Sequence, residues 1–233
     1  MVILILRGHI RDSFEDDDLY HFVKNIASQT QLDIYISTWS VYANNLSWRQ
    51  VKEDSRQVTK DDIYAYFRDL KSNIKHIIIE DDANIELVGR CEGCLGGGKM
   101  PILGWKNMWY GNYTIINYIN DTRSSEEVVI NTRIDILKNS NASIYTPERL
   151  NDFIGACIDH FCNKKIVVNK NVFMFGHEWA GIDNIITGSV GTMYKLIHHF
   201  HFHLDTIERE HEDGKFLCPH ELLVFRENDK LFG

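Results

Sequence analysis

An α/β domain with a mixed central sheet and helices on both faces is the fold class this sequence predicts. Three observations predict it. Apolar-rich runs recur at 2–6, 32–39, 74–79 and 128–134, and such runs suit strands covered on both faces. Stretches with apolar residues at helical spacing separate them. The first run, the first helical stretch and the second run fit within about forty residues, the start of a βαβ unit. The chain has 233 residues, of which 44% are hydrophobic and 25% charged. That length and balance fit a single globular domain over 1–233. Three prolines and the lack of a Ser/Gly tract argue against a long disordered linker.

The elements follow in order. Val2 to Leu6 forms a continuous apolar first strand, left through Arg7-Gly8-His9-Ile10-Arg11. Leu19, Phe22, Val23 and Ile26 mark a helix over about 16–28, and Asp16, Asp17 and Asp18 suit its first turn, where free N–H groups favour negative charge. The second strand is Leu32 to Trp39. Residues 40–57 are polar and irregular. Thr59 with Asp62 resembles an N-cap with an acidic partner, followed by a stripe at Ile63, Tyr66, Phe67 and Leu70. A third strand lies within Ile74 to Ile79, and Ile85 with Leu87 extends a short hairpin or loop segment. A glycine-rich loop spans 89–104. The next helix runs from about Trp105 to Ile119, then a strand over 128–134. A helix over 148–162 and short strands at 166–168 and 172–175 come next. A loop over 176–188 leads into a helix from Gly191. A helix or strand-like segment around Glu221 to Phe225 ends the pattern.

Composition narrows the function. Acidic residues outnumber Lys and Arg by 33 to 25, for a formal charge of −8. That field repels a nucleic-acid backbone, and no cluster of four or more basic residues offsets it, so nucleic acid is not an expected partner. Met1 to Leu6 is too short for a signal-peptide core or a membrane span. No later run approaches a transmembrane segment, and a cytoplasmic location is expected. The five cysteines include one CxxC, Cys91 and Cys94, without a second pair at zinc-finger spacing. Free thiols in a reducing compartment are the default. His198, His199, His201 and His203 scatter around a helix. Only His199 and His203 share a face, zinc would need a third ligand from elsewhere, and HExxH is absent.

Chemistry concentrates in four places. Arg133 and Asp135 stand two residues apart at the end of an apolar run, on the same side of an extended chain. A cation and a carboxylate so placed suit a phosphorylated, hydroxyl-rich ligand, directly or through a metal. They equally suit a structural ion pair. Arg7-Gly8-His9-Ile10-Arg11 follows the first strand, where ligands gather in open α/β sheets. Gly8 lets the backbone turn closely against a ligand, Arg7 or Arg11 can grip phosphate oxygens, and His9 can bond a ribose or phosphate. Asp183 can bind a sugar hydroxyl or act as a base, while Gly188 and Ser189 can present N–H groups to an anion at a helix start. Ser189 as a plain N-cap is the alternative. Glu221, after Pro219-His220, can reach the Arg/Asp crevice as a hydroxyl binder or base. His177 and Glu178 are weaker candidates.

Taken in order, these segments resemble the small nucleotide-sugar glycosyltransferases of the GT-A type that serve bacterial surface polysaccharide or viral glycan synthesis. The likeness rests on Leu6-Arg7-Gly8-His9-Ile10-Arg11, on Asp33 to Trp39, and on Ile130-Asn131-Thr132-Arg133-Ile134-Asp135. Asp183 to Lys195 and Pro219-His220-Glu221-Leu222-Leu223 complete it. The resemblance implies a GT-A-like domain, a nucleotide-sugar donor and a glycan or oligosaccharide acceptor. Arg-x-Asp stands here where other members of the fold carry Asp-x-Asp. The resemblance therefore implies donor binding more firmly than a divalent cation. Either Arg133 replaces part of the charge of manganese or magnesium, or Asp135 binds the metal with distant ligands. Arg7, Gly8, His9, Arg11, Arg133, Gly188 and Ser189 are the expected donor-binding residues. Asp183, then Glu221, are the expected bases, and Asp135 orients the donor sugar. Two competing readings are another nucleotide-dependent transferase and a non-catalytic glycan-binding or assembly protein, whose tryptophans (Trp39, Trp48, Trp105, Trp109, Trp179) would stack on sugars. Oligomeric state is left open.

Overall fold

The computed structural model describes residues 1–44, 51–94, 101–138, 145–174, 184–212 and 220–233. Four strands, β1 (Val2–Arg7), β2 (Leu32–Trp39), β5 (Ile74–Glu80) and β6 (Val128–Arg133), run parallel. Strand β8 (Ile185–Ser189) is antiparallel to β6, and the short β7 (Val172–Phe173) is antiparallel to β8. The resulting six-stranded sheet has the order β5-β2-β1-β6-β8-β7. Strand β1 lies at its centre, and Val2 to Leu6 are all 0% exposed. That is why the first strand reads as an unbroken apolar run rather than an alternation.

Alternate side chains of β1 enter two separate cores. Val2, Leu4 and Leu6 pack with α1 (Asp18–Gln29), α2 (Lys60–Phe67) and α4 (Pro147–Cys157). Ile3 and Ile5 pack with α3 (Ile102–Thr122), α5 (Val190–Glu212) and α6 (His220–Phe232). The molecule is therefore one α/β domain, a mixed sheet with helices on both faces in a Rossmann-like arrangement. Among the described residues no helix is long and apolar enough to cross a membrane.

Local signals account for several boundaries. Helix α2 begins in a full capping box: Thr59 Oγ1 accepts from the Asp62 N–H at 3.1 Å, and Asp62 Oδ2 accepts from the Thr59 N–H at 3.0 Å. Asp thus fills the role usually taken by Glu or Gln. Asp18 opens α1, and Asp16 and Asp18 both accept from Lys138. Thr146 caps α4, with Pro147 in its first turn.

Several expectations needed correction. Within the polar 40–57 stretch, β3 (Val41–Ala43) pairs with β4 (Asp54–Gln57) as a small antiparallel sheet. Ile85 and Leu87 lie in a loop segment, the second of the two forms expected, and not in a hairpin. Residues 166–168 form no strand, and Val167 is 73% exposed. The expected loop over 176–188 is a strand at its described end, β8, because Ile185, Ile186 and Thr187 add to the sheet beside β6. The histidine run lies inside α5. His199 Nε2 meets Glu227 Oε2 of α6 at 2.9 Å, and the His201 ring stacks on Tyr113 of α3 at 4.4 Å. These histidines join helices.

Candidate functional site

The chain leaves β1 for β2 and β5 on one side, then returns to β6 on the other. The strand order thus reverses between β1 and β6. In open α/β sheets the crevice beyond the carboxyl ends at such a reversal is the usual ligand site. Arg7 and Arg133 are register partners there, and the Ile134 N–H donates to the Arg7 carbonyl at 2.9 Å. The two expected motifs, far apart in sequence, are therefore neighbours.

Glycine is required at the turn out of β1. Gly8 has φ +94°, and among the described residues nothing lies within 4 Å of where its Cβ would be. The conformation favours glycine, and no described side chain fills the space beside it. The turn is stitched to β2: the Gly8 N–H donates to the Ser37 carbonyl, and Thr38 Oγ1 donates to the Gly8 carbonyl, both at 2.9 Å. Further on, Arg11 adopts φ +53° while its N–H donates to the Tyr42 carbonyl at 2.7 Å. A non-glycine residue held in this region is strained and is retained where the surroundings fix it.

Asp135 is the hub. It is 3% exposed. Arg133 grips it twice, Nε to Oδ1 at 2.6 Å and Nη2 to Oδ2 at 2.7 Å. Arg11 Nη1 donates to Oδ2 at 2.5 Å. Arg133 is tied in turn to Asn184, whose carbonyl accepts the Arg133 N–H at 3.2 Å and whose Nδ2 donates to the Tyr145 hydroxyl at 3.1 Å. Two guanidinium groups thus share one buried carboxylate. Burial holds Arg11 below the usual guanidinium value, although Asp135 acts in the opposite direction.

Arg7, expected to hold the donor's phosphates, is tied into the core through its Nε. It is 3% exposed, and its Nε donates to Asn131 Oδ1 at 2.9 Å. Asn131 Nδ2 donates onward to Asn112 Oδ1 of α3 at 2.8 Å. This buried chain fixes the end of β1 against β6 and α3. Asn131 and Asn112 were not singled out from the sequence. The signal was a polar residue at an inward position of an otherwise apolar series, which in a fully buried strand demands a partner.

His9 lies over the end of β2, its ring 6.0 Å from that of Trp39. Its Nε2 is buried without a hydrogen-bond partner and stands 3.8 Å from Asp82 Oδ2. Burial first, and the Arg11 guanidinium next, push its pKa down to about 3, so the imidazole is neutral at pH 7. Asp82, missed in the sequence, accepts from Asn44 Nδ2. Burial, then the neighbouring Asp81, push its carboxyl up.

Gly188 and Ser189 belong elsewhere. They pair with Val129 and Val128, at the opposite end of β6 from Arg133, roughly 16 Å away at strand spacing. The N–H groups that were expected to hold an anion are satisfied within the protein. Val190 and Gly191 donate to the carbonyls of Glu127 and Ser125, both at 2.9 Å, and Thr192 donates to Ser189 Oγ at 3.2 Å. Ser189 is a helix cap. Gly188 is needed for packing, since a Cβ there would fall 2.0 Å from Asn171 Oδ1 and 2.8 Å from Thr192 Oγ1. Gly188→Ala is expected to lose roughly 1–3 kcal/mol by overpacking, read from a denaturant titration. An unchanged midpoint would show that the Asn171 network yields freely.

Asp183 lies outside the described residues, as do His177, Glu178, Trp48 and Trp179. The residue after it, Asn184, stands at the carboxyl end of β6 through its contacts with Arg133. Glu221 falls in the first turn of α6, and its side chain is outside the described residues. Trp105 and Trp109 are core residues, 0% and 1% exposed, and do not stack on sugars.

A divalent cation does not suit Asp135. Both of its oxygens already accept from guanidinium groups, and a metal there would stand against two positive charges. Among the described residues no group of three or more His, Cys, Asp or Glu side chains is placed to hold a metal ion. A comparison with protein-family models finds no match, and a comparison with curated proteins finds none either.

Proposed function

We propose that the protein is a glycosyltransferase of GT-A-like architecture that moves a sugar from a nucleotide-sugar donor to a hydroxyl of a glycan acceptor. One observation carries the reading: the crevice at the strand-order reversal gathers an open glycine turn, Gly8, and the paired cations Arg11 and Arg133 around Asp135. An open backbone turn beside fixed guanidinium groups suits a diphosphate. His9 and Asp82, on the β2 side of the same crevice, suit hydroxyl groups of the donor.

In the transfer, the acceptor oxygen forms a bond to the anomeric carbon. The bond from that carbon to the diphosphate oxygen breaks, and its electron pair stays on the diphosphate. The hydroxyl proton passes to a carboxylate, Asp183 first and Glu221 second as candidates. Charge grows on the leaving diphosphate as its bond breaks, so the cations favour the transition state over the intact donor.

A panel of nucleotide sugars, tested by calorimetry and by release of nucleoside diphosphate, checks the reading. One donor is expected to bind and to turn over slowly even with water as acceptor. Arg133→Gln is expected to lower that turnover about a hundredfold, the scale for losing one charge-stabilising donor. Binding of glycans without binding of any nucleotide would replace the transferase with a glycan-binding module.

A further inference from the structure

We propose that Cys91 and Cys94 form a redox-active dithiol, which closes to a disulfide by exchange with a small-molecule disulfide such as oxidised glutathione. This chemistry is independent of the donor reading above. Both thiols are free, Cys94 exposed and Cys91 half-buried. The chain bends at Glu92 and again at Gly93. Gly93 has φ +88°, a conformation that favours glycine. Bends at both residues between the cysteines fold the chain back on itself. A chain folded back in this way approaches the Cα separation that a disulfide needs, under about 7 Å.

The turn is held from both sides. Before it, the Arg90 N–H donates to Asp205 Oδ2 at 2.8 Å and Arg90 Nη2 donates to Glu208 Oε2 at 2.7 Å. The chain entering Cys91 is thereby fastened to α5. After it, the N–H of Ile102, the first residue of α3, donates to the Gly93 carbonyl at 3.0 Å. Cys94 itself pairs with Pro101 in an antiparallel bridge. A turn fixed by its neighbours has already lost freedom that closing the ring would otherwise cost. The native chain should therefore favour closure more than the unfolded chain does, and the disulfide should stabilise the fold by the same factor. Cys157 offers a contrast, since it is 6% exposed and burial pushes its thiol up to about 11.

In the exchange, the Cys94 thiolate attacks one sulfur of oxidised glutathione and expels the first glutathione thiolate. The Cys91 thiolate then attacks the Cys94 sulfur and expels the second. One S–S bond breaks and one forms, and the electrons and protons lost by the two cysteines appear on the released glutathione.

The full chain is equilibrated without air across ratios of reduced to oxidised glutathione, natively and in guanidinium, then acid-quenched, alkylated and digested. Mass spectrometry is expected to find a Cys91–Cys94 disulfide, with closure favoured at least about tenfold more in the native chain. The oxidised protein is expected to melt at a higher temperature than the reduced one. Cys91→Ser is expected to stop at a glutathione adduct on Cys94. Adducts alone in the parent chain, or pairing of either residue with another cysteine, would overturn the proposal. Closure no more favourable in the native chain than in guanidinium would overturn it as well, because the fold would then contribute nothing.

Discussion

Asp135→Ala is expected to destabilise the protein by about 3 kcal/mol, because it leaves two guanidinium groups facing each other with no carboxylate between them. The value sits at the low end for breaking a buried pair. Asp135 is 4% exposed at its side chain, but Arg11 and Arg133 retain 15% and 22%, so water recovers part of the loss. A chemical denaturation midpoint measures it. Asp135→Asn is expected to lose less, since its amide oxygen still accepts one of the donors. Under the proposed transfer reaction, turnover should fall in both variants, because the arginines lose the carboxylate that aligns them. If Asp135→Ala melts like the parent, the three side chains do not form the hub described above.

Trp109→Ala is expected to cost about 4 kcal/mol, the usual scale for emptying a buried aromatic site. Trp109 is 1% exposed, stacks on Phe200 of α5 at 4.3 Å and meets the edge of Trp105 at 6.2 Å. It joins α3 to α5 over one face of the sheet. Its indole N–H is buried without a hydrogen-bond partner. Trp109→Phe should therefore recover most of the loss, since it keeps the ring stack and removes an unsatisfied donor. Equal losses in the two variants would show that the shape of the indole, rather than ring burial, sets the stability. The same helix carries Asn112, so an alanine variant that still folds should also loosen the Asn112–Asn131–Arg7 chain.

Much of the parallel sheet was legible because its strands are buried on both faces. Leu4 and Ile5 point into different cores, and both have to be apolar. The helix stripes at Leu19, Phe22, Val23 and Ile26 were legible for the complementary reason, since only one face is covered. Strand β8 was not legible. Its five residues include Gly188 and end in a helix cap, and a glycine in a short apolar run looks like a turn until a neighbouring strand is known. Val167 misled in the other direction. It has the composition of a strand, but no strand among the described residues pairs with it. The histidine run was legible as a helical run that scatters its side chains, and α5 turns them toward Tyr113, Tyr194 and Glu227 in different directions; which partner each meets was not.

The site divides in the same way. The sequence alone determined that Gly8 and Arg11 follow one strand and that Arg133 and Asp135 close another, because a strand's length and the polar residues after it are local properties. Which partner each side chain takes was decided only in three dimensions. Arg7 and Arg11 look interchangeable in sequence, yet Arg7 donates from Nε to Asn131 in the core and Arg11 from Nη1 to Asp135. Gly188-Ser189 looked like an anion site until antiparallel pairing carried it to the far end of β6. Strand direction and order arise from packing between segments well separated along the chain, such as Val2 with Val128 and Val128 with Ser189. No local pattern encodes them, and they place a glycine turn and two arginines around one carboxylate.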